Sequence, residues 1–446
     1  MNSIKYLSIC GMLGYGYPLK SLEHGILQKP AFIAADNGSS DPGPYYLGSG
    51  TSFVKKMQIK RDLEPALIKA RQNNIPLIIG SAGGAGAKPH VDFFLDILLE
   101  LASKNNLHFK LAVIYADLPK TLVSSALKNN KISPCGPVHP LTQNLIDSST
   151  NLVAQMGTEP IINALDNGAD VIIVGRCCDT AIFAALPIKQ GFDPALALHS
   201  AKIAECGALC AKPVGANDSL IVDLRKDHFI VTPANAARKC HPATVSAHSL
   251  YEQPNPDFFI EPEGKVNMTE SIFEQVSDSS VKVSGTKLEK ASIHTVKLEA
   301  AQLKGYRTIT IAGISDPIAI KNIDSIIDQV KQTVSQNLNT DKYQLYFRCY
   351  GSNAVTPKTP SHQPREIGLL IEAVAQTQEL ADTVLSLARS TALHQSFPNR
   401  KATAGNLAFP FSPSDFPGGP VYEFSIYHLM RIENESDLFP VTYKQV

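Results

Sequence analysis

Residues 76–104 read PLIIGSAGGAGAKPHVDFFLDILLELASK, an apolar run, a glycine-rich loop and a helical pattern in direct succession. In the last part, apolar residues such as Val91, Phe94 and Leu98 recur at three- and four-residue spacing, which is typical of a helix that packs one face on a sheet. Four more apolar runs of this kind alternate with helical stretches, at 6–10, 31–36, 109–115 and 170–174. Residues 1–212 are therefore predicted to form an α/β domain, an open and mostly parallel sheet with helices on both faces.

The sequence pattern of the remaining chain changes at residue 213 and again at residue 301. Over residues 213–300, short β-branched runs alternate with Asn, Asp, Pro and Gly, which predicts a β-rich bridging region with little helix. Residues 301–446 read strand-helix-strand-strand-helix-strand, the order of a ferredoxin-like α+β domain. Its strands are predicted at Tyr306–Ile311, Tyr343–Tyr350, Glu366–Val374 and Asn406–Phe411. We expect Leu345, Phe347 and Cys349 to form an uncovered apolar face that pairs copies of the chain in a homo-oligomer.

The composition excludes several classes of function. The 446 residues hold 41 basic and 41 acidic side chains, so no excess charge attracts nucleic acid or an anionic membrane. No apolar run reaches the length of a membrane span. The eight cysteines form no CxxC pair, and the amino terminus lacks the pattern of a targeting segment, so we expect a cytoplasmic protein with free thiols.

Polar residues follow the second predicted strand. Asp36 and Asp41 supply carboxylates, Asn37 an amide, and Ser39 and Ser40 hydroxyls. Loops at the carboxyl ends of parallel strands collect ligands, so this cluster suits acid/base catalysis and hydrogen bonding to a polar substrate. The alternative is a surface turn in which Asx side chains bond the local backbone.

The glycine-rich loop follows the third strand and precedes a helix, where exposed amides favour an anion. Ser81, Gly83, Gly84 and Lys88 are the candidate binding residues, and a tight strand-to-helix turn is the alternative. The glycine spacing fits neither a dinucleotide fingerprint nor a Walker loop, which makes an oxidoreductase a distant possibility. His90, beside this loop, is the candidate acid/base imidazole.

Arg176 emerges from the fifth strand and offers a planar fork for a carboxylate or phosphate. Asp179 either orients it, acts as a base, or forms an internal ion pair with it. Glu159 supplies a further carboxylate at a helix start, where the helix dipole alone also favours it. No standard metal-site spacing occurs, so no metal is predicted, and the sequence identifies no cofactor.

Across residues 4–335 the sequence resembles the acyclic terpene utilisation (AtuA-like) family. The resemblance rests on the glycine loop 80–86, on GADVIIVGR at 168–176 with Asp179, on ECGA at 205–208, on Tyr251-Glu252 and on VKVSG at 281–285. The chain departs from the family pattern over 36–42. The resemblance implies catabolism of branched acids or their acyl thioesters, and a separate small partner protein.

Together these features favour a cytosolic catabolic enzyme that acts on a small carboxylic acid or acyl thioester by proton transfer, as a hydro-lyase or isomerase. Asp36 or Asp41 would be the acid/base, Arg176 the carboxylate anchor and the glycine-loop amides an oxyanion cradle. The alternative is a non-catalytic ligand-binding or scaffolding subunit of a catabolic complex.

Overall fold

A computed structural model describes residues 3–215, 217–356, 363–401 and 404–446. The chain forms two compact units: unit 1 contains Met1–Gln302 and Phe424–Val446, and unit 2 contains Leu303–Glu423. The β-rich stretch 213–300 belongs to the same unit as residues 1–212, and the last residues of the chain return to that unit. The predicted division into domains at 1–212, 213–300 and 301–446 stays a prediction.

The elements are numbered here along the chain. The strands are β1 (Ser3–Ser8), β2 (Phe32–Asp36), β3 (Leu77–Gly80), β4 (Lys110–Ile114), β5 (Ile132–Pro134), β6 (Ser149–Gln155), β7 (Val171–Val174), β8 (Ala211–Lys212), β9 (Leu220–Arg225), β10 (His228–Pro233), β11 (Lys239–Cys240), β12 (Phe258–Glu261), β13 (Gly264–Asn267), β14 (Ile272–Gln275), β15 (Val281–Ser284), β16 (Lys287–Lys290), β17 (Thr295–Ile314), β18 (Tyr343–Tyr350), β19 (Ile367–Ala375), β20 (Asp415–Arg431) and β21 (Val441–Gln445). The helices are α1 (Leu19–Leu27), α2 (Pro44–Ser49), α3 (Lys56–Gln72), α4 (Lys88–Lys104), α5 (Lys120–Lys128), α6 (Gln143–Ser148), α7 (Glu159–Asp166), α8 (Ala181–Lys189), α9 (Pro194–Ala204), α10 (Pro242–Ser249), α11 (Pro317–Lys321), α12 (Ile323–Asn337), α13 (Gln378–His394) and α14 (Glu435–Leu438). A short 3₁₀ helix spans Gly207–Cys210.

The main sheet of unit 1 has the order β14-β15-β10-β9-β1-β2-β3-β7-β4-β21 in the described part of the chain. Its centre, β1-β2-β3-β7-β4, is parallel, and the strands on either side are antiparallel. Every residue of β2, β3 and β7 is buried, as expected for parallel strands covered on both faces. The predicted mostly parallel α/β sheet is confirmed.

Helix α4 illustrates why the sequence folds in this way. Pro89 occupies its first turn, where a missing N–H costs nothing, and the face carrying Val91, Phe94 and Leu98 is buried in the core. Helix α9 begins similarly, with Asp193 accepting a hydrogen bond from the N–H of Ala195 at 2.7 Å. The strand–helix crossovers place the loops after β1, β2, β3 and β7 at one edge of the sheet.

The middle segment is β-rich as predicted. Strands β9, β10, β14 and β15 extend the main sheet, and β12, β13 and β16 form a small antiparallel sheet in unit 1. The one helix of appreciable length described between 213 and 294 is α10, which begins at Pro242.

Unit 2 has the predicted ferredoxin-like arrangement. Its antiparallel sheet has the order β18-β19-β17-β20, which corresponds to second, third, first and fourth strand of the unit. Helices α11 and α12 follow the first strand, and α13 follows the third. The core between sheet and helices contains Val330, Ile371 and Val384, all at most 1 % exposed.

Two predictions for unit 2 are wrong. Residues 406–411 form no regular strand: Ala408 makes an isolated bridge to Gly313, and the fourth strand is β20. The face of β18 that carries Leu345, Phe347 and Cys349 is not uncovered, because Cys349 is buried in the core and Leu345 and Phe347, partly buried, pack against it. No helix described by the structure is long and apolar enough to cross a membrane.

Candidate functional site

Unit 1 has two neighbouring cavities where the loops after β1, β2 and β7 meet the end of α9. The first encloses about 320 Å³ and the second about 410 Å³. Five residues line both: Ser39, Asp41, Asp179, Glu205 and Glu252. Since four of these five carry carboxylates, we call the two cavities together the acid-lined cleft.

Asp36 ends β2 on the wall of the first cavity. Its residue is 4 % exposed, and its Oδ1 has no hydrogen-bond partner among the described residues. Burial raises the pKa of this carboxyl well above its usual range, and the neighbouring charge of Asp179 raises it further. The guanidinium of Arg176 and the N–H of Asn37 act in the opposite direction. Asp36 can therefore hold a proton where an ordinary aspartate cannot.

Glu205 follows α9 and forms a buried ion pair with Lys202. The Nζ of Lys202 lies 2.5 Å from Oε1 of Glu205, and both side chains are about one-twentieth exposed. Burial, with a smaller contribution from the charge of Asp179, nevertheless raises the pKa of Glu205 to about 8. Burial also raises the pKa of Asp179 itself, against the attraction of Arg176 and Lys202. Three carboxyl groups with raised pKa values thus share one wall.

Arg176 has a partner that the local sequence did not reveal. Its Nε donates to Oε2 of Glu299 at 2.8 Å, and its Nη1 donates to Oγ of Ser81 and to the carbonyl of Cys177. The predicted contact with Asp179 is longer, at 3.6 Å. Because the side chain is 4 % exposed and bonded on several sides, its main interactions hold the loop. Arg176 also lines the second cavity, and its role as the carboxylate anchor stays a prediction.

Lys297 is better placed to hold an anionic group. It lines the second cavity with its side chain 22 % exposed, and its Nζ contacts Oε1 of Glu299 at 3.0 Å. An ammonium group has three donors, so a single carboxylate leaves capacity for a ligand. The Glu299 carboxylate therefore holds Arg176 and Lys297 together, and the two cations in turn lower its pKa to about 2 despite burial.

The glycine loop packs against other loops and lines neither cavity of the cleft. The N–H of Gly83 donates to Oδ1 of Asn37 at 2.7 Å, and Nδ2 of Asn37 donates to the carbonyl of Leu13. A Cβ at Gly83 would lie 2.2 Å from the carbonyl oxygen of His90, and one at Gly38 would lie 1.9 Å from that of Gly84. Gly38 and Gly83 thus permit close backbone contact, and the oxyanion cradle of the glycine loop stays a prediction.

His90 also lies outside the cleft. Its Nε2 is 3.0 Å from the carbonyl oxygen of Tyr46 and 3.2 Å from that of Thr51, so it donates to the backbone. The ring is fully buried, and burial lowers its pKa. A neutral imidazole fixed in this way connects α4 to the loop around α2, and the structure does not place it to exchange protons with a ligand in the cleft.

Four further predicted residues lie outside the cleft lining. Lys88 forms an exposed ion pair with Asp92 at 2.9 Å, and Glu159 accepts a hydrogen bond from Ser436 at 2.8 Å. Ser81 accepts a hydrogen bond from Nη1 of Arg176 at 3.3 Å, and Ser40 is buried in the loop after β2. Of the predicted residues, the cleft lining contains Asp36, Ser39, Asp41, Arg176 and Asp179.

Several lining residues were not predicted as site residues. Lys202, Glu261 and Lys297 are distant in sequence from the strand-end loops. The motifs of the family resemblance contain four further lining residues: Glu205, Cys206, Tyr251 and Glu252. Glu252 has a φ of 59°, a left-handed conformation that is uncommon outside glycine and that recurs at functional sites. Within the described ranges, no group of three His, Cys, Asp or Glu side chains is arranged to hold a metal ion.

The sequence was compared with models of known protein families. The model described as "Acyclic terpene utilisation family protein AtuA" matches residues 52–218 and 220–406, which is most of the chain. The chain belongs to the AtuA family. The predicted membership is thereby confirmed, and the matched ranges include Asp179, Glu205 and Lys297 of the cleft. No curated protein and no solved structure matches the chain.

Proposed function

We propose that this member of the AtuA family is an enzyme that moves a proton on a small carboxylic acid or acyl thioester, as a hydro-lyase or isomerase. The observation that carries the proposal is Asp36, a buried carboxyl group on a cavity wall whose pKa is raised by burial and by the neighbouring carboxyl group of Asp179. General acid/base catalysis needs a pKa near the working pH, and burial with like charges is how proteins raise a carboxyl toward it.

The neighbouring side chains then have separate roles. Asp36 takes the proton from carbon and delivers it to another carbon in an isomerisation, or to the departing hydroxyl, which leaves as water, in a hydro-lyase reaction. Burial keeps the Asp36 pKa high, and the charge of Asp179 adds to this effect. Lys297 binds the carboxylate or thioester oxygen of the substrate, and developing negative charge on that oxygen strengthens the interaction. Glu299 and Arg176 act as positioning residues behind Lys297 and Asp179.

The dimensions of the cleft support a small substrate. Ligand pockets occupy roughly 300–1,000 Å³, and the first cavity, about 320 Å³, is at the lower end of this range. Its rim contains Met12, Tyr15 and Leu209, which offer apolar contact for a short carbon chain. Such a cavity admits a small acid, or the acyl end of a thioester whose remainder lies outside.

The test is turnover on a panel of short carboxylic acids and their coenzyme A thioesters. Asp36→Asn keeps the size of the side chain and removes the base, so we expect turnover to fall at least about a hundredfold. The matched control is Asp96→Asn, because Asp96 is an exposed carboxylate on α4 that lines neither cavity. Ligand binding by the wild type without turnover of any panel member would favour the non-catalytic ligand-binding subunit instead.

We further propose a cytoplasmic location, since the described cysteines are all free thiols, as a reducing compartment maintains them. The homo-oligomer and the separate small partner protein also stay predictions, and the packed face of β18 no longer supports the former. Light scattering of the purified chain measures its mass in solution, and affinity capture from the source cells tests for a small partner.

A further inference from the structure

The sheet of unit 2 ends at β18, whose inner face is packed but whose outer edge is open. Among the described strands, β18 pairs with β19 alone. The ladder is regular, from Tyr343 opposite Ala375 to Tyr350 opposite Gly368 without a shift in register. A regular end strand presents a row of backbone N–H and C=O groups on its outer side. The outer edge of β18 is therefore a template to which another strand can be added.

Other sheet edges in the chain have features that prevent strand addition. The strands that end a sheet elsewhere in the described structure have two to five residues, and each contains a proline or a charged residue: β5, β8, β11, β12, β14, β16 and β21. At the opposite side of the unit 2 sheet, β20 contains Pro417 and Pro420, which have no N–H to donate. Strand β18 reads YQLYFRCY, eight residues without proline and with one charged side chain. Because natural edge strands are usually short, charged or interrupted by proline, this exception indicates a partner strand.

The one charged side chain of β18 does not protect the edge. Nη1 of Arg348 donates to Oε2 of Glu372, a residue of the neighbouring strand β19 that also bonds Arg307. The guanidinium of Arg348 is consequently directed inward along the sheet, away from the outer edge. A lysine or arginine prevents pairing at an edge when its charge would be brought against the incoming strand, and Arg348 is not placed to do so.

Apolar side chains lie on both faces of this edge. Tyr346 and Tyr350 are 40 % and 44 % exposed on one face. Leu345 and Phe347 are only partly buried on the other face, where they pack against the core of unit 2. A strand added beside β18 would cover all four from the side, and the burial of their apolar surface would favour the addition.

A second copy of the chain fits this edge. A two-fold axis perpendicular to the sheet makes two β18 strands antiparallel and keeps each side chain on its own face. With the axis at Tyr346, this residue lies opposite its counterpart, Leu345 lies opposite Phe347 of the second copy, and Gln344 lies opposite Arg348 of the second copy. These pairs are aromatic, apolar and hydrogen-bonding, and no like charges oppose each other.

We propose that the chain forms a homodimer in which β18 pairs antiparallel with β18 of a second copy, about a two-fold axis at Tyr346. The two unit 2 sheets then form one continuous sheet, and the open edge is removed from each. The inference is independent of the proposed function, since none of these residues lines the acid-lined cleft.

The first experiment measures the mass of the purified full chain by light scattering, from low to high micromolar concentration. We expect twice the mass of one chain at the higher concentrations. Tyr346→Lys brings two like charges together at the axis, so dimerisation should weaken at least about tenfold. The matched control is Tyr443→Lys, because Tyr443 is also 40 % exposed and lies on the end strand β21 of the other unit. It should leave the dimer intact.

The second experiment tests the register by cross-linking. Directly opposite residues of an antiparallel pair have Cβ atoms about 4.5–5.5 Å apart. Tyr346→Cys therefore places one thiol of each copy beside the other, and oxidation by diamide should give a covalent dimer that dithiothreitol separates. Wild type and Tyr443→Cys should remain single chains on a denaturing gel after the same treatment.

A wild-type chain that stays monomeric over the whole concentration range would overturn the inference. So would a folded Tyr346→Lys variant that dimerises as tightly as wild type, because the interface would then lie elsewhere. If Tyr346→Lys does not fold, the cross-link decides: a covalent dimer of Tyr346→Cys supports the pairing of β18, and its absence contradicts it.

Discussion

Replacing Glu299 by Gln tests how the cationic side of the cleft is held. Glu299 lies on β17, 1 % exposed, with Arg176 at 2.8 Å and Lys297 at 3.0 Å from its two oxygens. Glutamine keeps the shape and mimics the protonated carboxyl, so the change isolates the negative charge. The substitution removes the negative charge nearest to the buried guanidinium of Arg176, so the positive charge of Arg176 is only weakly balanced.

Two separate arguments give the same loss in the free energy of unfolding for Glu299→Gln. The shift of the Glu299 pKa from 4.5 to about 2 corresponds to about 3 kcal/mol of folding stability. Removing one member of a buried ion pair costs about 3–5 kcal/mol in other proteins. We therefore expect Glu299→Gln to lower the free energy of unfolding by about 3 kcal/mol near pH 7.

The stability difference between wild type and Glu299→Gln depends on pH, and the direction of the Glu299 pKa shift determines how it changes. A carboxyl group whose folded pKa is depressed stabilises the protein above its unfolded pKa, and this contribution is lost as the pH falls toward the folded value. The difference between wild type and Glu299→Gln should be complete at pH 7 and should shrink below about pH 4.5.

Urea unfolding at several pH values measures this difference. The control is Glu433→Gln, because the Glu433 side chain is 93 % exposed and lies 3.8 Å from Lys131. If Glu299→Gln costs no more than that control, within about 0.5 kcal/mol, the carboxylate does not hold the two cations and the roles given to Arg176 and Lys297 are wrong.

Two further predictions concern the frame of the cleft. Gly83→Ala should cost about 3 kcal/mol, because its Cβ would lie 2.2 Å from the carbonyl oxygen of His90. Gly168→Ala, at a similar φ but with no atom within 4 Å, should cost only about 1 kcal/mol in the same unfolding experiment; equal costs would refute the packing argument. Glu261→Gln should stabilise the chain by about 3.5 kcal/mol more at pH 8 than at pH 5, since the unfolded carboxyl ionises near 4.5 and the folded one, raised by burial and by the charge of Glu263, near 8. Thermal melts at the two pH values check this, and a pH-independent difference would contradict it.

The elements of the fold that could be predicted were those with strong periodicity. The five buried parallel strands and α4 follow from continuous apolar runs and one apolar stripe. Helix α8 was missed because its sequence, AIFAALPIK, is apolar on every face and shows no stripe. The fourth strand of unit 2 was placed too early because β20 begins with Asp415-Phe-Pro-Gly-Gly-Pro, residues typical of a turn.

The site was predictable only where it follows strands. Asp36, Asp41 and Asp179 stand directly after β2 and β7, so the rule for parallel sheets places them together. Glu299 is 123 residues from its partner Arg176, and no local pattern connects them. The glycine loop is ambiguous in sequence, because glycines are needed equally for anion binding and for close backbone packing, and here close packing requires Gly83.

The most direct test of the central claim follows the proton itself. In deuterated water, the wild type should introduce deuterium into the carbon-bound positions of the panel member that it turns over, as read by NMR. We predict that Asp36→Asn abolishes this incorporation while Asp96→Asn retains it, with both variants folded by circular dichroism. Incorporation by Asp36→Asn at the wild-type rate would show that Asp36 is not the base and would contradict the account.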